Sequence, residues 1–234
     1  MDLIGEPQMK IFLDSANLTD LESCLKRGIV RGITTNPSII SKEPKTNFIK
    51  HIQKMADLCK FYEKILPLSV EIFTPHAHEI VSQAATFLQE IDYKNLNIKI
   101  PIGWGELEAI HKLSQQGINV NCTCLFNEAQ CMLAANAGAK YISIFMGRLK
   151  DIGVDPLPVI ANVRNLLDKS NSSAEIIVGS IRHPRDISDA QLAGAHIVTA
   201  SSKFFENLSS HPQTTKSVDG FLEDFKLWLA PNKV

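Results

Sequence analysis

The sequence has no long apolar run. Nowhere in its 234 residues do eighteen apolar residues follow one another, so no segment reads as a bilayer-spanning helix. It also lacks an excess of charge of either sign: 24 Lys and Arg stand against 25 Asp and Glu, a net charge of −1. Such a balance gives no field for nucleic acid or an anionic membrane surface, and neither is expected as a partner. A phosphate site needs only a few local cations and would not show in that sum. Cysteine is sparse and odd in number, with Cys24, Cys59, Cys122, Cys124 and Cys131. A chain of this length needs no disulfide frame, and a reducing, cytoplasmic setting is expected. The opening MDLIGEPQ is short and acidic, without the apolar stretch of a signal peptide. No G-x-G-x-x-G or Walker pattern occurs, so dinucleotide and P-loop readings lapse. No Gly- or Ser-rich linker divides the chain, and residues 1–234 read as one domain.

What is present is an alternation. Short β-like runs at Lys10–Asp14, Gly32–Thr34, Pro67–Phe73, Leu96–Pro101, Ile118–Cys124, Tyr141–Met146, Glu175–Ser180 and His196–Thr199 are each followed by an amphipathic stretch. The helices are expected near Thr19–Lys26, Asn47–Glu63, after Pro75, and at Glu106–Gln116, Asn127–Asn136, Pro156–Asp168, Pro184–Leu192 and Ser201–Leu208. Eight βα units with right-handed crossovers predict a closed α/β barrel, the (β/α)8 or TIM barrel, and the length is close to the usual value of about 250 residues. A last amphipathic segment, about residues 218–229, carries Val218, Phe221, Leu222, Phe225 and Leu229 at helical spacing. It reads either as a helix lying over the barrel's bottom or side, or as an arm reaching a neighbouring subunit of a homo-oligomer.

In such a barrel the reacting groups stand at the C-terminal ends of the strands. Reading those ends gives Asp14, Thr34-Thr35-Asn36, Glu71, Lys99, Asn121 and Thr123, Arg148 and Ser180, polar where a purely structural barrel would carry Val, Ile or Leu. In Asn95-Leu-Asn-Ile-Lys-Ile-Pro-Ile, residues 96, 98, 100 and 102 are aliphatic and share one parity. Period two turns them outward under the helices and turns Asn97 and Lys99 inward. Burial favours the neutral amine, the form that attacks a carbonyl; the structural alternative is a lysine paired to Asp14 or Glu71. Asp14 reads as a proton-transfer group or a hydrogen-bond acceptor for substrate hydroxyls rather than as a helix N-cap, because Asn17 or Thr19 fills that post better. Glu71 reads as a mid-strand carboxylate able to orient a water, or else as a partner of Lys99. Pro37 holds Asn36 extended, leaving its amide for a substrate oxygen, with an ordinary turn as the alternative. Arg148, Ser180 and Arg182 fall on the sixth and seventh units, where barrels gather anions, and an Arg fork suits phosphate. Cys122 and Cys124 are expected to face the helices, opposite in parity to Thr123. His76 and His78, two apart, are not expected to share a face. No metal is expected.

Six segments together resemble the small members of the transaldolase family, which include the closely related fructose-6-phosphate aldolases. They are Ile11-Phe-Leu-Asp-Ser-Ala, Gly32-Ile-Thr-Thr-Asn-Pro-Ser-Ile-Ile, Asn97-Ile-Lys-Ile-Pro, Gly117-Ile-Asn-Val-Asn-Cys-Thr, Phe145-Met-Gly-Arg and Gly179-Ser-Ile-Arg. They run in family order from the first strand to the seventh. The resemblance implies Lys99 as Schiff-base lysine, Asp14 as the proton acceptor and donor, and Glu71 with Thr123 as the pair positioning a catalytic water. It implies Thr35, Asn36, Asn121, Phe145 and Ser180 at the substrate, Arg148 and Arg182 at phosphate, and no cofactor. The activity implied is transfer of a dihydroxyacetone unit from sedoheptulose 7-phosphate to glyceraldehyde 3-phosphate, giving erythrose 4-phosphate and fructose 6-phosphate, in the pentose phosphate pathway. The alternatives are release of free dihydroxyacetone from fructose 6-phosphate, or a non-catalytic sugar-phosphate-binding barrel. Glu71 stands where the aldolases carry glutamine and Phe145 where they carry tyrosine, both as in transaldolases. The chain departs from the family after Pro101, where Ile102-Gly-Trp-Gly-Glu-Leu replaces the usual loop and puts acceptor size in question.

Overall fold

A computed structural model describes residues 10–74 and 76–230; the MDLIGEPQ opening and the helix start expected at Pro75 lie outside them. The strands are β1 Lys10–Asp14, β2 Ile33–Thr34, β3 Leu68–Glu71, β4 Leu96–Pro101, β5 Val120–Leu125, β6 Tyr141–Phe145, β7 Glu175–Gly179 and β8 Ile197–Ala200. They pair in chain order, all parallel, and β1 closes on β8. This is the (β/α)8 barrel. The outer layer comprises α1 Leu18–Arg27, α2 Pro37–Ile40, α3 Phe48–Phe61, α4 Ile80–Glu90, α5 Trp104–Gln115, α6 Glu128–Asn136, α7 Met146–Asp151, α8 Pro156–Lys169, α9 Pro184–Leu192 and α10 Ser202–Ser209. A further helix, α11 Pro212–Leu229, follows.

Local chemistry sets these boundaries. Asn17 caps α1, its Oδ1 accepting from Thr19 N at 3.0 Å and Asp20 N at 3.1 Å, which leaves Asp14 free of capping. Asp155 caps α8 from Leu157 N at 3.1 Å, and Pro156 takes the first helical position, where a missing N–H costs nothing. The main core lies between sheet and helices. Leu96, Ile98 and Ile100 enter it from β4 alongside Leu113 and Ile110 of α5, each fully buried aliphatic contributing roughly 1.5–3 kcal/mol. A second, smaller cluster, Phe12, Tyr141, Ile177 and Ile197, fills the barrel interior. It comes from the first three residues of β1, β6, β7 and β8, so the apolar plug sits below the strand ends and the upper interior is left to polar side chains.

Several boundaries differ from the sequence expectation. β3 ends at Glu71, so that carboxylate stands at a strand end rather than mid-strand. Two short helices, α2 and α7, occupy what read as loop or strand end. The last helix begins at Pro212 rather than near Val218, and none of its residues is buried; it does not lie over its own barrel. His76 and His78 do face one another, their rings stacked at 5.6 Å in the 3-10 turn before α4. Among the described residues no helix is long and apolar enough to cross a membrane.

Candidate active site

At the C-terminal ends of the strands lies a cavity of about 420 Å³, of the size that small-molecule sites take. Lys99 is its floor. Its Cα pairs with Glu71 on one side and Asn121 on the other, and register neighbours in a parallel sheet point the same way. The lysine is only 4% exposed. Its Nζ lies 2.9 Å from Glu71 Oε2 and donates to the Thr35 carbonyl at 2.8 Å. The pairing to Glu71, the structural alternative, is therefore made, and it coexists with a place on the cavity floor.

Asp14 ends β1 on the same wall, partly open to the cavity yet crowded by protein. Burial pushes its carboxyl above the ordinary carboxylate range; the Lys99 ammonium and the Thr34 hydroxyl pull it back without cancelling that effect. Thr34 Oγ1 donates to Asp14 Oδ1 at 2.8 Å and lies 2.6 Å from Thr199 Oγ1. A threonine has one hydroxyl proton, so with Thr34 donating to Asp14 it is Thr199 that donates to Thr34. A hydroxyl chain from β8 through β2 thus ends on the carboxylate.

Asn36 has φ −156° and ψ 163°, the extended conformation that Pro37 imposes, and it caps α2 by accepting from Ile39 N at 3.0 Å. Its Oδ1 is thereby occupied, and its Nδ2 is the atom left to face a ligand. Asn36, Glu71, Thr123, Phe145, Arg148 and Ser180 all line the cavity with Lys99 and Asp14. Arg148 stacks its guanidinium over the Phe145 ring at 5.0 Å, which fixes both at the upper rim.

Three expected residues stand elsewhere. Thr35 does not turn its side chain to the cavity: its hydroxyl donates to the Ser69 carbonyl at 2.9 Å, and it serves Lys99 through its own carbonyl. Asn121 lies buried beneath the cavity, bonded to Ser69 Oγ at 3.2 Å and Ser143 Oγ at 2.7 Å. Arg182 is drawn to Asp151, Nη2 to Oδ2 at 2.7 Å, and is not among the lining residues. Cys124 corrects the parity argument. It has φ +62°, and the β5–β6 register shifts between Cys122 and Leu125, so the bulge turns Cys124 into the cavity while Cys122 stays in the core. Burial raises the Cys124 thiol above its ordinary range.

Sequence reading missed Ser143 and Thr199, which also line the cavity. Strand alternation would have found both: Ser143 shares parity with Phe145, and Thr199 with the inward Ile197. Trp104, the bulky residue of the altered loop, begins α5, is 88% exposed and does not line the cavity. Among the described residues no three His, Cys, Asp or Glu side chains converge as metal ligands.

A cavity lined by a buried lysine and two carboxylates has the groups that carbonyl and proton-transfer chemistry uses, and comparison with known proteins identifies the family. Residues 11–230 match the family described as Transaldolase/Fructose-6-phosphate aldolase. The chain belongs to that family. It is 40% identical over 220 residues to a probable transaldolase 2 of Listeria monocytogenes, covering 93% of this chain and 96% of that protein. A probable transaldolase 2 of Bacillus cereus is 37% identical over 221 residues, covering 93% and 97%. A probable transaldolase of Thermoplasma volcanium is 38% identical over 220 residues, covering 93% and 96%. Among solved structures, thiamine phosphate pyrophosphorylase from Pyrococcus furiosus superposes with a TM-score of 0.59 at 10% identity, covering 83% of this chain and 86% of that one; that likeness concerns the barrel alone. The chain is thus an enzyme of the transaldolase and fructose-6-phosphate aldolase family.

Proposed function

We propose that the protein is a transaldolase of the pentose phosphate pathway, acting through a Schiff base on Lys99. The observation that carries this reading is the Lys99 amine on the floor of the cavity, with Glu71 at 2.9 Å and Asp14 on the same wall. Lys99 passes a proton to Glu71, 2.9 Å away, and as the neutral amine attacks the C2 carbonyl of a ketose phosphate. The amine's second proton moves to the alkoxide, and Glu71 returns its proton to the carbinolamine hydroxyl, which leaves as water to give an iminium. Glu71 and Thr123 hold the water that departs here and returns for hydrolysis. With the iminium as electron sink, the C3–C4 bond breaks as Asp14 takes the proton of the C4 hydroxyl. A carboxyl raised by burial is a better base than an ordinary aspartate and also a usable acid. It returns the proton when the three-carbon carbanion adds to the acceptor aldehyde. Asn36 Nδ2 and Ser180 hold substrate oxygens, with Asn121 supporting from below, and Arg148 takes the phosphate. Arg182 joins it by exchanging Asp151 for the anion. No cofactor enters this scheme.

The test is product analysis on purified protein given fructose 6-phosphate with and without erythrose 4-phosphate. Transaldolase activity gives sedoheptulose 7-phosphate and glyceraldehyde 3-phosphate only when the acceptor is present. Free dihydroxyacetone accumulating regardless of acceptor would identify the aldolase instead, and sugar-phosphate binding without turnover would identify a silent barrel. A cytoplasmic homo-oligomer accords with this reading. The exposed stripe of Phe221, Phe225 and Trp228 on α11 supports assembly, and light scattering on the chain with and without α11 measures it.

A further inference from the structure

Two segments bring the anion-binding groups to the rim, α7 carrying Arg148 and the loop after β7 carrying Ser180 and Arg182. Neither is rigid by itself. α7 has six residues, too few to be stable as an isolated helix. The loop holds Ser180 at φ +59°, a left-handed conformation that a non-glycine residue keeps only when its surroundings enforce it. One buried carboxylate connects them. Asp186, on the first turn of α9, is 3% exposed. Its Oδ2 accepts from Arg182 N at 3.0 Å and His183 N at 2.9 Å, tying down the loop, while its Oδ1 accepts from Lys150 Nζ at 2.6 Å, tying down α7. Burial pushes this carboxyl up, but the Lys150 ammonium and the two backbone N–H donors outweigh it and hold the group below its ordinary range, so it is ionised at neutral pH. A second bridge runs the opposite way, from Arg182 on the loop to Asp151 on α7, with both side chains more than half exposed; such a pair contributes little. Backbones meet directly as well: a Cβ on Gly147 would collide with the Ser180 carbonyl and the Arg182 side chain.

We propose that the Lys150–Asp186 pair is a positioning device for the phosphate site, fixing Arg148 against Ser180 so that their donors converge on one anion. This rests on the reading that Arg148 binds the substrate's phosphate. Neither residue lines the cavity, so neither is a catalytic or binding residue. Lys150→Met keeps the aliphatic stem and removes the cation; Lys150→Arg keeps a cation able to reach Asp186.

The experiment is steady-state kinetics of donor cleavage below the melting transition, with inorganic phosphate as competitive inhibitor. For Lys150→Met, KM for fructose 6-phosphate and the phosphate inhibition constant both rise about three- to tenfold, the scale of one lost charge-assisted cross-link, with less change in kcat. Lys150→Arg restores most of both. A merely structural pair would lower Tm and leave both constants at the wild-type value, and that result overturns the proposal. Asp186→Asn carries the same test if Lys150→Met fails to fold, since the amide oxygen can take the place of Oδ2 and accept from the loop, while the amide nitrogen then faces Lys150 and no longer attracts it. An Arg148→Met arm separates the two ideas. Weakened phosphate binding in Arg148→Met but not in Lys150→Met rejects the positioning role alone. No weakening in either rejects the phosphate-site reading, and the positioning role with it.

Discussion

Replacing Lys99 by methionine perturbs stability as well as chemistry, and the structure gives the size. The substitution preserves volume but removes the cation 2.9 Å from Glu71, whose side chain is 12% exposed, and the donor to the Thr35 carbonyl. Breaking a buried ion pair from one side costs about 3–5 kcal/mol, because the remaining charge is left uncompensated. The cavity gives Glu71 some access to water, so we place the loss near the lower end, about 3 kcal/mol. For a domain of this size that corresponds to a fall in Tm of about 6–12 °C. Adding Glu71→Gln removes the stranded charge and recovers about 2 kcal/mol; the rest stays lost, since the Thr35 carbonyl still lacks its donor. The assay is urea unfolding at pH 7 of wild type, Lys99→Met, Glu71→Gln and the double variant, read as a double-mutant cycle. If Lys99→Met were as stable as wild type, or the double variant no more stable than Lys99→Met, the pair would not be holding the floor of the site as described.

The other expectations concern single side chains. Asp14 has a folded-state pKa above its unfolded value, so the folded state binds the extra proton and stability falls as pH rises from about 4 through the folded pKa. Asp14→Asn should therefore be inactive yet melt higher than wild type at pH 7, with the gap closing toward pH 4; a variant melting lower at pH 7 would contradict the burial argument. Phe145→Tyr places a phenol beside Arg148, the residue that the family resemblance implies for the aldolases, and should increase the fraction of turnover released as free dihydroxyacetone. Unchanged partitioning would remove Phe145 from that role. Of the five free cysteines, Cys124 alone lines the cavity, and its thiol is raised by burial. Alkylation should be slow at pH 7, accelerate toward pH 9, fall on Cys124 by peptide mapping and be suppressed by fructose 6-phosphate; equal labelling of Cys122 would contradict the bulge.

What could be read from the chain follows from what local pattern encodes. β1, β4 and α9 fall where period two or a proline start places them. Lys99 was legible because four aliphatics of one parity leave the fifth-position lysine no direction but inward. Failures occurred where tertiary geometry overrides period. Cys124 turns inward because a bulge inserts a residue at φ +62°, and no residue type announces it. The helices α2 and α7 are one turn or little more, too short for an amphipathic repeat. Thr35, Asn121 and Arg182 illustrate another limit: strand-end position says that a polar side chain is near the site, but its hydrogen-bond partner decides whether it faces the ligand. Thr35 is spent on Ser69, Asn121 on Ser69 and Ser143, and Arg182 on Asp151. The register that carries β3 to β5 also explains why Lys99 is surrounded as it is, since Glu71, Lys99 and Asn121 share one level of the barrel.

The central claim is that Lys99 forms the imine, and borohydride trapping tests it most directly. Protein incubated with fructose 6-phosphate and reduced should carry a secondary-amine adduct on the peptide containing Lys99, seen by mass analysis, and Lys99→Met should carry none. An unmodified Lys99 peptide after turnover and reduction, or an adduct on another lysine, would contradict the account.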